Sequence, residues 1–285
     1  MDAEGCFSVI VEVLSPLKCK IRVSFEINLH DKDLAILYRI QSFFGVGKVY
    51  LRSERNLCVS RVTVPSDLLK VIIPHFLEYP LISKKGGDFI PWSKVVGMVS
   101  KKDHLTKPGL LKILSYYASI NRGVSPKVSE FFPDITPFDR PNQLLPSKLN
   151  PHWVSGFVAG DGGFQLGVQS DNRYVLGERA KFQFYITQHM LEAELFRLFE
   201  GFFGCGTVYI RSNSSRCDFI VQDLDSILIK VLPHFDLYPL QNIKQRDYLD
   251  FKEALSIINS GLHLTPEGIA QFKAIKEGMN SFRSS

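Results

Sequence analysis

Two kinds of spacing alternate along this chain. From Lys18 to Leu29 the apolar residues Cys19, Ile21, Val23, Phe25, Ile27 and Leu29 interleave with Lys18, Lys20, Arg22, Ser24, Glu26 and Asn28. Side chains on a pleated strand point to opposite faces in turn, so this run predicts a strand with one dry and one wet face. The segment "HDKDLAILYRIQSFF" then spaces Leu34, Leu37, Ile40 and Phe44 as a helix does, and Gly45 stands where such a helix ends. Short strands are predicted over 48–52 and 57–64. A helix follows from Pro65 or Ser66 to Phe76, another over 85–100, and a last one begins after Thr106.

The same order returns later in the chain. "FFGVGKVYLRS" from Phe43 recurs as "FFGCGTVYIRS" from Phe202, a displacement of 159 positions. That displacement also carries "PHFLEYPL" onto "PHFDLYPL", Lys85 and Asp88 onto Lys244 and Asp247, and "HLT" at His104 onto "HLT" at His263. A constant offset over so long a stretch means two copies of one folding unit, a pseudo-twofold pair and not a solenoid array. The expected fold class is α/β (α+β): each unit is a curved antiparallel sheet backed by helices on its apolar face. The expected organisation is a first unit over 1–121, a linker over 122–151 and a second unit over 152–285. The linker holds six of the fifteen prolines, a density read as blocking helix and central strand alike.

Composition narrows the class. With 285 residues, 45% hydrophobic and 22% charged, the chain is globular. No apolar run reaches membrane-spanning length and no basic, apolar leader opens the chain, so a secreted or membrane product is not expected. The five cysteines form no CxxC, which predicts reduced thiols, most of them buried. Lys and Arg outnumber Asp and Glu by 34 to 29, a net +5.

This excess collects on the wet strand faces. Lys18, Lys20, Arg22, Lys48, Arg52, Arg55 and Arg61 are assigned to strands of the first copy. Arg173, Arg179, Lys181, Arg211 and Arg216 are assigned to those of the second, interleaved with Asn28, Tyr50, Gln183 and Tyr209. Such side chains contact phosphates and base edges, and the grid repeats in both halves, so nucleic acid is the expected partner.

The stretch "HWVSGFVAGDGGF" at His152–Phe164 reads as a small-residue helix ending in Asp161-Gly162-Gly163. A carboxylate at a helix C-terminus faces the negative end of the peptide dipole, a penalty of ~0.3–1 kcal/mol that a divalent cation would offset. The two glycines would end the helix and leave room for a phosphate. "MDAEGCF" repeats the pattern at the amino end, with Glu4 matching Asp161 at an offset of 157. Two carboxylates, one per half, suit magnesium in phosphodiester hydrolysis, with other divalent cations as alternatives.

"WVSGFVAGDGGFQL" and "MDAEGCFSVIV" resemble the paired motifs of LAGLIDADG homing endonucleases of the single-chain, pseudo-dimeric type. The resemblance extends over nearly the whole chain. It implies motif helices packed at the interface between the units and acids placed near two scissile phosphates. It also implies sheets straddling the major groove of a long asymmetric site in double-stranded DNA, and cutting that leaves staggered ends. On this reading Glu4 and Asp161 bind the metal and are catalytic, and Arg22 and Lys181, equivalent residues on the second strands, offset the charge growing on the phosphorane. The family's frequent home in organellar introns implies a mitochondrial, monomeric product.

Two alternatives stay open: an intron RNA-splicing maturase on the same scaffold, and a DNA-binding relic that has lost catalysis. The residue matching Val158 in the first copy is Met1, so nearly all of the first motif helix is missing from this chain. It is therefore read as an incomplete gene product or part of a longer reading frame, weakly stable and poorly active until upstream residues are restored. His75 and His234 are read as structural. His104 and His263 are read as turn residues before a capping threonine. Lys85 and Lys244 are read either as phosphate contacts or as solvated helix starts, and Gly45, Gly47, Gly204 and Gly206 as turns, not a nucleotide loop.

Overall fold

The alternation of Lys18–His30 becomes the second strand of a four-stranded antiparallel sheet. A computed structural model describes residues 1–280 apart from positions 16, 17, 122, 143, 174 and 175. It divides into two units, one spanning Met1–Leu145 and one from Pro146 onward.

In the first unit, β1 (Gly5–Ser15), β2 (Lys18–His30), β3 (Lys48–Arg52) and β4 (Leu57–Val62) pair in the order β1-β2-β4-β3. The second repeats the order as β5-β6-β8-β7, with β5 (Gly162–Ser170), β6 (Glu178–His189), β7 (Thr207–Ile210) and β8 (Arg216–Val221). The dry faces are those read from the alternation. Ile21, Val23, Phe25 and Ile27 are buried on β2, as are Phe182, Phe184 and Ile186 on β6.

Helices cover these faces. In the first unit they are α1 (Leu34–Phe44), α2 (Pro65–Asp67), α3 (Ile73–Glu78), α4 (Lys85–Ser100), α5 (Lys107–Ala118) and α6 (Pro126–Phe131). In the second they are α7 (Pro151–Asp161), α8 (Ala193–Phe203), α9 (Leu224–Ser226), α10 (Leu232–Leu237), α11 (Lys244–Asn259) and α12 (Pro266–Glu277). Gly45 and Gly204 end α1 and α8 in the left-handed conformation, with φ of 67° and 63°, a geometry that costs a residue with a Cβ. Thr106 and Thr265 cap α5 and α12 by accepting from the Gly109 and Gly268 amides at 3.2 and 3.1 Å.

Each core is built on aromatic side chains. Phe7 lies 4.7 Å from Trp92 and 5.9 Å from Phe25, and its counterpart Phe164 lies 5.3 Å from Tyr248 and 5.5 Å from Phe184. All five cysteines are free; Cys19, Cys58 and Cys217 are buried. Burial pushes the Cys217 thiol up to about 11, so it is an inert core group.

Two expectations are corrected. The helix expected from Pro65 to Phe76 is interrupted by a π-turn at Leu68–Ile72, and its counterpart by one at Ile227–Val231. Pro74 and Pro233 follow these turns; proline lacks an N–H and its ring clashes with the carbonyl four residues back, so the wider turn relieves both faults. Within the proline-rich stretch, α6 forms because Pro126 occupies a first-turn position where its missing N–H costs nothing. Val128 and Phe132 join the first unit's core, and Arg140 pairs with Asp88 at 2.9 Å. Arg122, the expected start of the linker, and residues 281–285 lie outside the described residues.

Candidate catalytic and nucleic-acid-binding site

Asn150 starts α7 by accepting from the His152 and Trp153 amides, and Pro151 takes the first helical position. The helix is then clamped along one side. Trp153 stacks on Phe157 at 4.8 Å, Phe157 lies 5.9 Å from Phe199, and the Ser155 hydroxyl donates to the Tyr238 carbonyl at 2.6 Å. Asp161 is the last residue of this rigid element, and the chain runs from it straight into β5.

The glycines after Asp161 serve close packing. Gly162 is extended, at φ −100°, and a Cβ there would meet Val158 at 2.7 Å. A Cβ on Gly163 would meet the Tyr185 hydroxyl at 2.6 Å, so Tyr185 already fills the room expected for a phosphate.

The end of α7 is neutralised by the protein itself. Lys244 Nζ donates to the carbonyls of Gly160 and Gly162, both at 2.6 Å, and reaches that of Val158 at 3.4 Å. Asn242 donates to the Ala159 carbonyl at 2.9 Å. An ammonium against the last carbonyls offsets the negative helix end, the task the sequence reading gave to a divalent cation. Lys244 opens α11 half-buried, with its ammonium directed at these carbonyls. Lys85 repeats the arrangement by donating to the Ala3 carbonyl.

The carboxylate of Asp161 is oriented separately. Gln188 Nε2 donates to its Oδ2 at 2.8 Å, while Gln188 Oε1 accepts from the His189 amide at 2.9 Å. Asp161 thereby faces a cleft of about 480 Å³ lined by Thr187, Gln188, His189, Ser214, Ser215 and Arg216. In the first unit Glu4 is exposed in the turn before β1, and the position matching Gln188 is Leu29, which has no polar group to offer. The neighbouring Asp2 is buried and accepts from the Ser83 amide at 2.9 Å.

Strand register places the basic residues. On the first sheet Glu12 lies opposite Lys20, Arg61 opposite both Glu26 and Lys48, and Tyr50 opposite Val59, so Lys18, Lys20, Arg22, Lys48, Arg52 and Arg61 share the open face. Arg179, Lys181 and Gln183 lie together on β6, and Arg216 opens β8 on the same face, opposite His189. Three assignments to strands are corrected. Arg55 lies in the 3₁₀ turn Ser53–Arg55, Arg173 lies in the loop between β5 and β6, and Arg211 lies just past β7. Alternation marks a face but does not mark where a hairpin turns.

Some of this charge is already paired. Arg61 grips both Glu26 oxygens at 3.0 Å and lies 6.0 Å over the Tyr50 ring; Arg22 sits 3.6 Å from Glu12; Arg173 pairs with Asp171 at 2.8 Å. Arg173 holds the half-buried Asp171 carboxyl down to about 2. Arg211 binds Asp218 through two bonds of 2.5 and 2.7 Å and holds that carboxyl below its ordinary range, with Thr187 adding a bond of 2.6 Å. Lys18, Lys20, Lys48, Arg52, Arg55, Arg179, Lys181 and Arg216 make no ion pair among the described residues and remain available to an anion.

Arg22 and Lys181 do not stand beside the acid of their own unit. Gly5 pairs with Ile27 and Gly162 with Ile186, so each basic residue lies five positions along the strand, roughly 17 Å at ~3.4 Å per residue. The lysines beside the acid-bearing turns are Lys85 and Lys244. Their recurrence is visible in the sequence, but the carbonyls they reach lie over eighty positions away. Gln188, beside Asp161, carries no internal repeat to mark it.

The histidines are packing groups. His234 is buried between Phe202, Phe203, Phe235 and Tyr238, and its Nε2 lies 3.1 Å from the Ser155 hydroxyl. Because that hydroxyl donates to Tyr238, it accepts from the imidazole, which is neutral. Burial drives its pKa from 6.5 down to about 4. The unfolded chain therefore binds a proton here that the folded chain refuses, and stability present above pH 6.5 is expected to drain away as pH falls towards 4. Urea midpoints across that interval test this, and a His234→Gln variant should show a flatter profile.

A family model for LAGLIDADG endonuclease matches residues 1–96 and 154–255, and the chain belongs to that family. Among its relatives are two from Neurospora crassa. A probable intron-encoded endonuclease 3 is 34% identical over 273 residues, covering 94% of this chain and 51% of the relative. A probable intron-encoded endonuclease 2 is 32% identical, covering 98% of this chain and 63% of the relative. The chain thus spans between half and two thirds of the length of these curated relatives. An uncharacterized 50.9 kDa protein in ND4 intron 1 of Podospora anserina is 32% identical over 38% of the chain. Among solved structures, the meganuclease I-SmaMI bound to uncleaveable DNA superposes with a TM-score of 0.95 at 33% identity, over 99% of this chain and 95% of that one.

Proposed function

We propose that this chain is a site-specific double-strand DNA endonuclease encoded within an intron and acting in a mitochondrion. The observation that carries the reading is that Asp161 ends a clamped helix at the mouth of an open, basic sheet face, and that Glu4 holds the corresponding place in the other repeat. Structures of I-SmaMI with uncleaveable and with cleaved DNA support it. Intron RNA finds no support in the matched structures.

The donor set fits a hard divalent cation, with magnesium the first choice; I-SmaMI has been crystallised on its uncleaved target with calcium ions. Among the described residues no three His, Cys, Asp or Glu side chains gather in metal-binding geometry. At each acid, Asp161 in one unit and Glu4 in the other, phosphate oxygens and water would therefore complete the shell of a cation, the coordination habit of magnesium. When bound, the cation activates water for attack and stabilises the departing oxygen.

The chain's own residues do the positioning. Gln188 orients the Asp161 carboxylate by donating to one of its oxygens. Lys244 and Lys85 fix the turns that carry the acids; their spacing equals that of the two lysines replaced by alanine in variants of I-SmaMI. Arg22 and Lys181, with Lys18, Lys20, Lys48, Arg52, Arg55, Arg179 and Arg216, contact the flanking DNA, and Gln183 and Tyr50 face base edges. The chain works as a monomer of two units, over 1–121 and 152–285, joined by the 122–151 stretch.

A randomised duplex library incubated with the protein and Mg²⁺, followed by sequencing of the ends, tests the reading. One long asymmetric sequence cut on both strands with a fixed stagger is expected. Ends scattered without consensus, or no ends while intron RNA is retained in preference to duplex, would overturn it.

A further inference from the structure

Each sheet carries an arginine that is gripped by a carboxylate on its open face. In the first unit Arg61 Nη2 donates to Glu26 Oε2 at 3.0 Å and Arg61 Nε lies 3.0 Å from Oε1, with the Tyr50 ring 6.0 Å away. In the second, Arg211 donates through Nε and Nη2 to the two Asp218 oxygens at 2.5 and 2.7 Å. A hydroxyl steadies each carboxylate in turn: Ser24 Oγ donates to Glu26 Oε1 at 2.7 Å, and Thr187 Oγ1 to Asp218 Oδ1 at 2.6 Å. The acids are the more deeply buried partners. The Glu26 side chain is 16% exposed against 32% for Arg61, and that of Asp218 is 7% exposed against 44% for Arg211.

Neither pair is demanded by packing. At the offset of 159, Glu26 and Arg61 match Tyr185 and Ile220, which face one another across β6 and β8 as the ion pair does across β2 and β4. Thr187 and Asp218 match Asn28 and Val59, so Arg52, which matches Arg211, meets no carboxylate at that place. Uncharged pairs thus build the same corners, and desolvating an ion pair commonly cancels what its attraction contributes to the fold.

A guanidinium carries its N–H donors in a planar fork. Here the carboxylate takes the Nε edge, and the edge formed by Nη1 and Nη2 points away from it. The pair is neutral as a whole, so it attracts a phosphate less than the unpaired lysines of the same face do. What that edge matches is a neutral pair of acceptors, the O6 and N7 of guanine in the major groove. Because the side chain is ordered before DNA arrives, little rotamer freedom is lost on contact. We propose that Arg61 and Arg211 each read a guanine of the target, with Glu26 and Asp218 as positioning residues. Ile220 stands at the place of Arg61 in the other repeat, so the guanine read by Arg61 is one source of asymmetry in the site. The inference deepens the endonuclease reading and rests on it.

The test takes the consensus duplex from cleavage of the randomised library and replaces its guanines one at a time by 7-deazaguanine, which keeps O6 and lacks the N7 acceptor. With the parent protein, binding should weaken about tenfold at two of these positions. In Arg61→Met the penalty at one of them should vanish, and in Arg211→Met the penalty at the other. Glu26→Ala should shrink the penalty that belongs to Arg61 and leave that of Arg211 whole, which the loss of a merely structural ion pair would not do. Penalties unchanged in both methionine variants would overturn the proposal, as would a consensus in which no guanine responds to the exchange. Ends without any consensus would overturn the endonuclease reading itself, and this inference with it.

Discussion

Replacing Asp161 by asparagine is expected to leave binding of the target duplex within about twofold of the parent while cutting falls by at least ~10³-fold, the scale of losing a charged group that acts only on the reacting centre. Asparagine keeps the shape of the side chain, and its carbonyl oxygen still accepts from Gln188, so the end of α7 and the cleft around it stay in place. What disappears is the negative charge that would hold a cation against the phosphate. Gel-shift titration, thermal melting and single-turnover cleavage on one preparation separate these effects. A rate within tenfold of the parent, with folding intact, would remove Asp161 from the chemistry. Glu4→Gln in the other repeat should leave a product nicked on one strand.

The second large effect concerns stability. Lys244→Met removes the ammonium that satisfies the Gly160 and Gly162 carbonyls and approaches that of Val158. Leaving such carbonyls unpartnered at a partly buried helix end costs about 3 kcal/mol, taking ~1–3 kcal/mol for each group stranded away from water. Lys85→Met should cost less, because its counterpart bond goes to the Ala3 carbonyl alone in the hydrogen bonding observed. Urea denaturation of the two variants side by side checks the order. Equal and negligible losses would mean that these lysines serve DNA and not the fold. In Lys244→Met cleavage should fall along with stability, since the freed helix end is the one that carries Asp161.

What could be read from the sequence was whatever repeats locally. The alternation of β2, the helix opening at Lys85 and the threonine caps are all decided by neighbours within a few positions, and the internal displacement then counted each element twice. What escaped depends on residues brought together by the fold. Lys244 meets α7 from more than eighty positions away, and no spacing rule joins an ammonium to a carbonyl at that range. Alternation gave Arg61 and Arg211 a face but could not show that Glu26 and Asp218 share it and take up their charge. The π-turns before Pro74 and Pro233 were hidden because helical spacing of apolar residues survives one extra residue in a turn.

The contact between Gly163 and the Tyr185 hydroxyl limits how the two repeats can diverge. Opposite one another on β5 and β6, these residues fill a space that Cys6 and Glu26 fill in the first unit. Neither member of a pair can be exchanged between repeats alone, since a cysteine at 163 collides with the tyrosine and a glutamate at 185 leaves a hole beside the glycine. Drift at this corner therefore proceeds by double substitutions, and a chimaera that grafts one strand without its neighbour will fail where a graft of the whole hairpin folds.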